Sequence, residues 1–170
     1  MENAKILKNI IEERKSELPS HYTDIGSLLH DHNEILSNAV LAPNHKRTMP
    51  LRFKTFKGEE KQKLGLELQN SYKKSTAEAQ FLQKKYDDIG FKISKANVVV
   101  SIVVNFSGLV PDWEEISAVS MAVQNMYLTC TANNIGCYWS SPKIVEKLTD
   151  SLTIEENQQC LGLFYMGSLD

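Results

Sequence analysis

Three short stretches of this 170-residue chain carry side chains able to do chemistry together. The first is Arg14-Lys15-Ser16, two cations beside a hydroxyl. Such a group can hold a phosphate through charge-assisted hydrogen bonds, although cations at a helix end also complement its dipole. The second is Ala42-Pro43-Asn44-His45-Lys46-Arg47, followed by Pro50-Leu51-Arg52-Phe53. A proline-bounded loop with a histidine, two cations and an asparagine suits ligand contact or plain solvation. The third runs from Asn134 to Pro142. Its successive backbone N–H groups could face a ligand, and Trp139 could cover a planar ring or sit in a core.

Other constellations argue for less. His30-Asp31-His32, with His21 and Asp24 nearby, is the nearest approach to a metal-hydrolase set. Alternate residues at a helix start point apart, and Asp31 is better used as a cap, so no metal site is expected. Lys73-Lys74 and Lys84-Lys85 have acidic neighbours and read as a solvated helix face rather than a nucleic-acid patch. Nineteen basic against 21 acidic residues give a net charge of −2, which excludes a dedicated DNA-coating protein. Cys130, Cys137 and Cys160 are odd in number and form no CxxC, which argues against a disulfide scaffold or zinc ribbon. A reducing cytoplasm is therefore expected. Val98–Val104, the longest strongly apolar run, falls short of the roughly 20 residues that cross a bilayer. Charges interrupt Met1–Arg14, which leaves no signal-peptide core.

The elements that must position these stretches follow from period. Ile6, Leu7, Ile10 and Ile11 form a helical stripe that ends at Leu18-Pro19. A second helix opens at Asp31, with Glu34 as its capping-box partner and Ile35, Leu36, Ala39 and Val40 as its buried face. Leu51–Phe56 alternates as a strand, and Gly58 ends it. The polar stretch Glu59–Lys85 is mostly helical in pattern, with Leu64, Leu68 and Tyr72 inward. Val98–Val104 reads as a strand buried on both faces. Trp113–Asn133 is a long helix carrying Ile116, Val119, Val123, Met126, Tyr127 and Cys130 at three- and four-residue steps, apolar around much of its circumference. Cys137–Ser140 is a short strand, Pro142–Leu148 a short helix and Leu161–Met166 a last strand. Hydrophobic residues at 42% and charged at 24%, with no linker or repeat, predict one layered α/β or α+β domain over residues 1–170.

Taken in order, the motifs resemble the nitroreductase family of flavin-dependent oxidoreductases, in particular its short bacterial branch. The resemblance rests on Arg14-Lys15-Ser16, Ala42–Lys46 with Pro50–Phe53, Gln124-Asn125, Gly136–Trp139, and Leu161–Gly167, and spans almost the whole chain. It implies an α+β fold with a central mixed β-sheet flanked by helices, and a homodimer holding FMN between subunits. By the same resemblance, Arg14, Lys15 and Ser16 bind the FMN phosphate, ribityl chain or pyrimidine edge. Leu41 and His45 contact the other subunit's flavin, and Trp139, Ser140 and Ser141 pass beside its ring. Thr129, Cys130, Thr131, Ala132, Asn133 and Asn134 match a stretch assigned to the nicotinamide cofactor. The implied chemistry is hydride transfer from NAD(P)H through the flavin to a nitro compound, quinone or similar flat acceptor, with no catalytic side chain of its own.

The chain departs from that pattern at four places. Lys15 stands where Arg is usual, Leu51 where Trp is usual, Asn134 where the first Gly is, and Ser140 where near relatives have Arg. Lysine keeps charge but loses the planar fork. These departures motivate the alternative of a flavin-binding sensor, store or carrier with little turnover.

Overall fold

In the computed structural model, residues 2–23, 32–147 and 151–169 are described. Nine regular elements follow one another. They are α1 (Glu2–Glu13), α2 (His32–Ala39), β1 (Leu51–Phe56), α3 (Gly58–Ser75), α4 (Gln83–Lys95), β2 (Val98–Asn105), α5 (Asp112–Ala132), β3 (Ile135–Ser140) and β4 (Gln158–Ser168). Single 3₁₀ turns lie at Pro19–His21, His45–Arg47 and Glu78–Gln80, with a longer one at Lys143–Lys147. The expected cap at Asp31 and the histidine–aspartate cluster around His30 lie outside the described residues.

The sheet order is β1-β2-β4-β3. All three pairings among the described strands are antiparallel, which corrects the mixed sheet expected from the resemblance. The polar stretch after β1 folds as two helices rather than one excursion. A down-and-up helical hairpin returns the chain to the end it left, so β2 must run against β1. A single helix, α5, separates β2 from β3, and these two strands do point the same way. They are not neighbours, because β4 inserts between them.

Central strand β2 is buried from Val98 to Val104, as its continuous apolar run predicts. Val98, Val100, Ile102 and Val104 pack with α2 and α5 through Ile35, Ala39, Val119, Val123 and Met126. Val99 and Val103 face the other way, against Leu64, Leu68 and Ile93 of the α3–α4 hairpin. Strand β4 is longer than its apolar centre predicts, because the ladder continues through Gln158 and Gln159 to Asn105 and Val104. Helix α1 forms where the stripe predicts, yet it buries nothing in this chain. Ile6, Leu7 and Ile11 are each about half exposed, at 52%, 53% and 51%.

Candidate functional site

The α1 helix runs out at Glu13, and Arg14 closes its last turn through its N–H to the Ile10 carbonyl at 3.0 Å. The chain then passes along the outer edge of β3. There the Glu17 N–H donates to the Cys137 carbonyl at 2.8 Å, and the Tyr22 hydroxyl donates to the Glu17 carbonyl at 2.7 Å. One residue upstream, Ser16 Oγ lies 3.1 Å from the Tyr127 hydroxyl. That same Tyr127 oxygen accepts the Trp139 backbone N–H at 2.8 Å. The Arg14 guanidinium sits over the Tyr127 ring, 5.5 Å from its centre, and the ring meets Phe164 edge-on at 5.1 Å. Arg14, Ser16 and Trp139, distant in sequence, therefore converge on one tyrosine of α5.

Trp139 reaches this place because β4 carries no side chain beneath it. Gly162 has φ +139°, a conformation that other residues avoid. A Cβ there would strike the Ser140 carbonyl oxygen and lie 2.9 Å from the Trp139 indole nitrogen. The indole N–H is buried and has no hydrogen-bond partner among the described residues. Ser140 is half-buried and Ser141 exposed as β3 ends.

Lys15 turns away from Arg14. Its Nζ lies 2.5 Å from Glu17 Oε1, and His21 Nδ1 lies 2.9 Å from Glu17 Oε2. Hydrogen bonds from Lys15 and from His21 hold the Glu17 carboxyl below its ordinary value of 4.5. Lys15 and Glu17 border a cleft of about 410 Å³ that also takes in Glu13, Thr131 and Asn134. Of the nicotinamide stretch, only Thr131 and Asn134 look into that cleft. Thr129 is buried, with its hydroxyl donating to the Asn125 carbonyl and accepting from Asn38, and Cys130 is fully buried. Asn133 turns its amide back onto the Thr129 carbonyl, and Ala132 is exposed. A hydrogen bond with Cys137, and burial, push the Cys130 thiol up; burial does the same to Cys160. Neither thiol is poised as a nucleophile.

His45 stands at the opposite end of α5, whereas Leu41 lies nearer Tyr127, its N–H reaching the Asn38 carbonyl that also accepts from the Asn125 amide. His45 Nδ1 lies 2.6 Å from Glu114 Oε2 in the first turn, and Leu41 is 75% exposed. Glu114 and Tyr127 are separated along α5 by roughly 20 Å, at 1.5 Å per residue. The loop between α2 and β1 is strained: Lys46, Arg47 and Met49 hold φ of 51°, 54° and 48°. Left-handed non-glycine residues cost about 1 kcal/mol or more each and persist only where their surroundings impose them. Asn44 supplies part of that, accepting the Met49 N–H at 3.0 Å, and Lys46 donates to the Leu109 carbonyl at 2.9 Å.

Sequence reasoning placed Tyr127 in the core stripe and missed its hydroxyl. A tyrosine among aliphatic positions was the available signal, because a buried phenol finds a polar partner. Glu17 and Glu114, the carboxylates that engage Lys15 and His45, carried no signal in the spacing.

Two regions thus assemble on the α5 side of the sheet, one around Tyr127 and one around Glu114. Among the described residues no carboxylate ion pair engages Arg14, so its charge stays available to an anion.

The model of the nitroreductase family matches residues 29–168. No similar sequence was found among curated proteins. Solved structures resemble the fold over nearly the whole chain. A nitroreductase-like family protein from Bacillus cereus is 23% identical, with 96% of this chain and 86% of that one covered and a TM-score of 0.78. A nitroreductase with bound FMN from Bacteroides fragilis is 18% identical, with 96% and 88% covered and a TM-score of 0.72. The FMN-dependent nitroreductase NfnB from Mycobacterium smegmatis, in complex with NADPH, is 14% identical, with 98% and 89% covered and a TM-score of 0.72.

Proposed function

The chain belongs to the nitroreductase family, a family of oxidoreductases, and from that premise we propose that it is an FMN-dependent enzyme. It moves hydride from NAD(P)H to a nitro compound, quinone or similar flat acceptor by a ping-pong route. It works as one domain, in a homodimer and in the cytoplasm. The observation that carries this reading is the convergence of Arg14, Ser16 and Trp139 on Tyr127, with Arg14 unneutralised by any described carboxylate.

The residues fit a phosphate-tailed flat ring. Arg14 supplies a cation and Ser16 a hydroxyl for the phosphate end, a chemistry suited to a dianion. Trp139, Ser140 and Ser141 form a wall for the ring, and the buried, unpartnered Trp139 indole N–H is a donor left over there. When bound, FMN supplies the hydride chemistry itself. The chain's part is to hold the phosphate, orient the ring and shield it from water.

His45 cannot join this wall within one chain, because its contact with Glu114 holds it at the far end of α5. Two copies with antiparallel α5 helices would set the Glu114 end of one beside the Tyr127 end of the other. The half-exposed stripe Ile6, Leu7 and Ile11, together with Met121 and Leu41, supports such a partner. No helix among the described residues is long and apolar enough to cross a membrane, and the three cysteines are free and buried.

One observation favours the second reading, a flavin-binding protein with little turnover. Lys15 is occupied by Glu17, leaving Arg14 as the cation at the Tyr127 cluster. Purified protein is expected to be yellow, to release FMN on denaturation, and to bleach on stopped-flow mixing with NADH or NADPH. Colourless protein that ignores added FMN overturns both readings. Bound FMN that neither dinucleotide bleaches leaves the carrier.

A further inference from the structure

We propose that Tyr127 is a positioning residue that makes the site selective for the phosphorylated flavin over the same ring system without phosphate. The inference rests on the flavin reading above and adds a residue to it.

The tyrosine hydroxyl bridges two segments that are joined nearby by the Glu17–Cys137 main-chain hydrogen bond, and it ties Ser16 itself to the strand. It accepts the Trp139 main-chain N–H at 2.8 Å, and its remaining proton is free for Ser16 Oγ at 3.1 Å. The ring beneath carries the Arg14 guanidinium on one side and is braced edge-on by Phe164. Tyr127 is buried and Ser16 exposed, so the bridge runs from the core out to the surface of the site. A tyrosine that only filled space would need one partner for its hydroxyl. This one takes two, from the stretch after α1 and from strand β3 beside it.

The bridge acts on one end of the ligand more than the other. Glu17 is tied to β3 separately, through Cys137, and its carbonyl accepts from the Tyr22 hydroxyl. Loss of the Tyr127 hydroxyl therefore frees Ser16, and with it the chain that carries Arg14, to swing about an anchored residue 17, while the aromatic ring and the strand stay in place. Arg14 and Ser16 are the groups suited to a phosphate, while the ring rests on β3. Loosening them costs phosphate recognition first, because a cation held in position binds without first losing conformational freedom.

Tyr127→Phe tests this, since it keeps the ring, its Phe164 contact and the seat under Arg14. FMN and riboflavin are titrated separately onto flavin-free, full-length protein and followed by flavin fluorescence and calorimetry. In the flavin-free state, amide exchange is read at Ser16, Trp139 and the β2 strand. FMN affinity is expected to fall about tenfold and riboflavin affinity to stay within about twofold, the loss expected of a hydrogen bond on one subsite. Exchange rises at Ser16 and Trp139 and not in β2. Equal losses for both flavins, no loss for either, or unchanged exchange at Ser16 and Trp139 overturns the proposal. Ser16→Ala cuts the other end of the same bridge and is expected to narrow the preference for FMN in the same direction; an unaltered preference counts against it. Wild-type protein that binds neither flavin overturns the functional reading and this inference with it. Wild type that binds both, beside a Tyr127→Phe variant indistinguishable from it, overturns the inference alone.

Discussion

At Arg14 and Lys15, neighbouring cations meet different fates for a reason visible only in their partners. Arg14 lies on an aromatic face, where a planar, weakly hydrated guanidinium gains cation–π energy of about 0.5–2 kcal/mol without losing its charge to a carboxylate. Lys15 is paired with Glu17. The two are expected to separate on mutation. Arg14→Ala lowers FMN affinity by tenfold or more, the loss of a charge-assisted contact worth about 1.5–3 kcal/mol, and lowers the thermal midpoint of the flavin-free protein by only a few degrees, the cost of the ring contact. Glu17→Gln instead acts through pH. Because hydrogen bonds from Lys15 and His21 depress the carboxyl below 4.5 in the folded state, the unfolded chain binds that proton more readily. Its contribution is then complete above about pH 4.5 and is lost as pH falls through the lower folded value. Urea unfolding at pH 7 is expected to show the variant less stable by about 1 kcal/mol or less, since the cluster is at the surface, and the gap to close on acidification. A gap that widens in acid contradicts this.

The elements differ in how much of their structure is local. Strand β2 carries its own instruction, because a run apolar on both faces is stable only between two layers. Strand β3 depends on others: its outward end stays straight because Gly162 of β4 leaves room for Trp139 and the Ser140 carbonyl. Gly162→Ala is expected to destabilise the fold by about 1–3 kcal/mol, the cost of a strained backbone, and to move Trp139. In a Trp113→Phe background, which removes the exposed indole, a shift of the remaining emission reports that movement. Unshifted emission with native stability would show that β4 yields elsewhere. Helix α5 has apolar residues on two sides, of which the sheet takes Val119, Val123 and Met126, while Met121 stays 42% exposed.

For the whole molecule, exposed apolar surface is the main feature that one copy leaves unexplained. Helix α1 has the stripe of a buried helix and no buried residue. In the dimer proposed above, that stripe is covered by the second chain. Replacing Ile6, Leu7 and Ile11 together by Ser is then expected to give monomers by light scattering, with far-ultraviolet circular dichroism retained and FMN retention lost. A dimer that survives the triple change, or a wild type that is monomeric with full flavin occupancy, removes the shared site.

Much of the layered order was legible in the chain itself. The bounds of β1 and α5 and the double burial of β2 follow from period and composition, because burial of apolar side chains rewards a fixed spacing. Five motifs in order, each weak alone, were enough to indicate the family from the chain itself. Residue pairings across the sheet were not legible. Whether one helix or two joined β1 to β2 decided the direction of pairing, and a polar stretch contains little to mark the break at Ser75. Nor could spacing tell that Lys15 would turn to Glu17, that Thr129 and Cys130 would face the core, or that a core tyrosine would bridge Ser16 to Trp139. Those outcomes depend on atoms brought to 3.1 Å from positions as far as 111 residues apart. Local pattern determines which faces are buried; only the packed fold determines which polar atoms meet there, because a hydrogen bond is directional and hydrophobic burial is not.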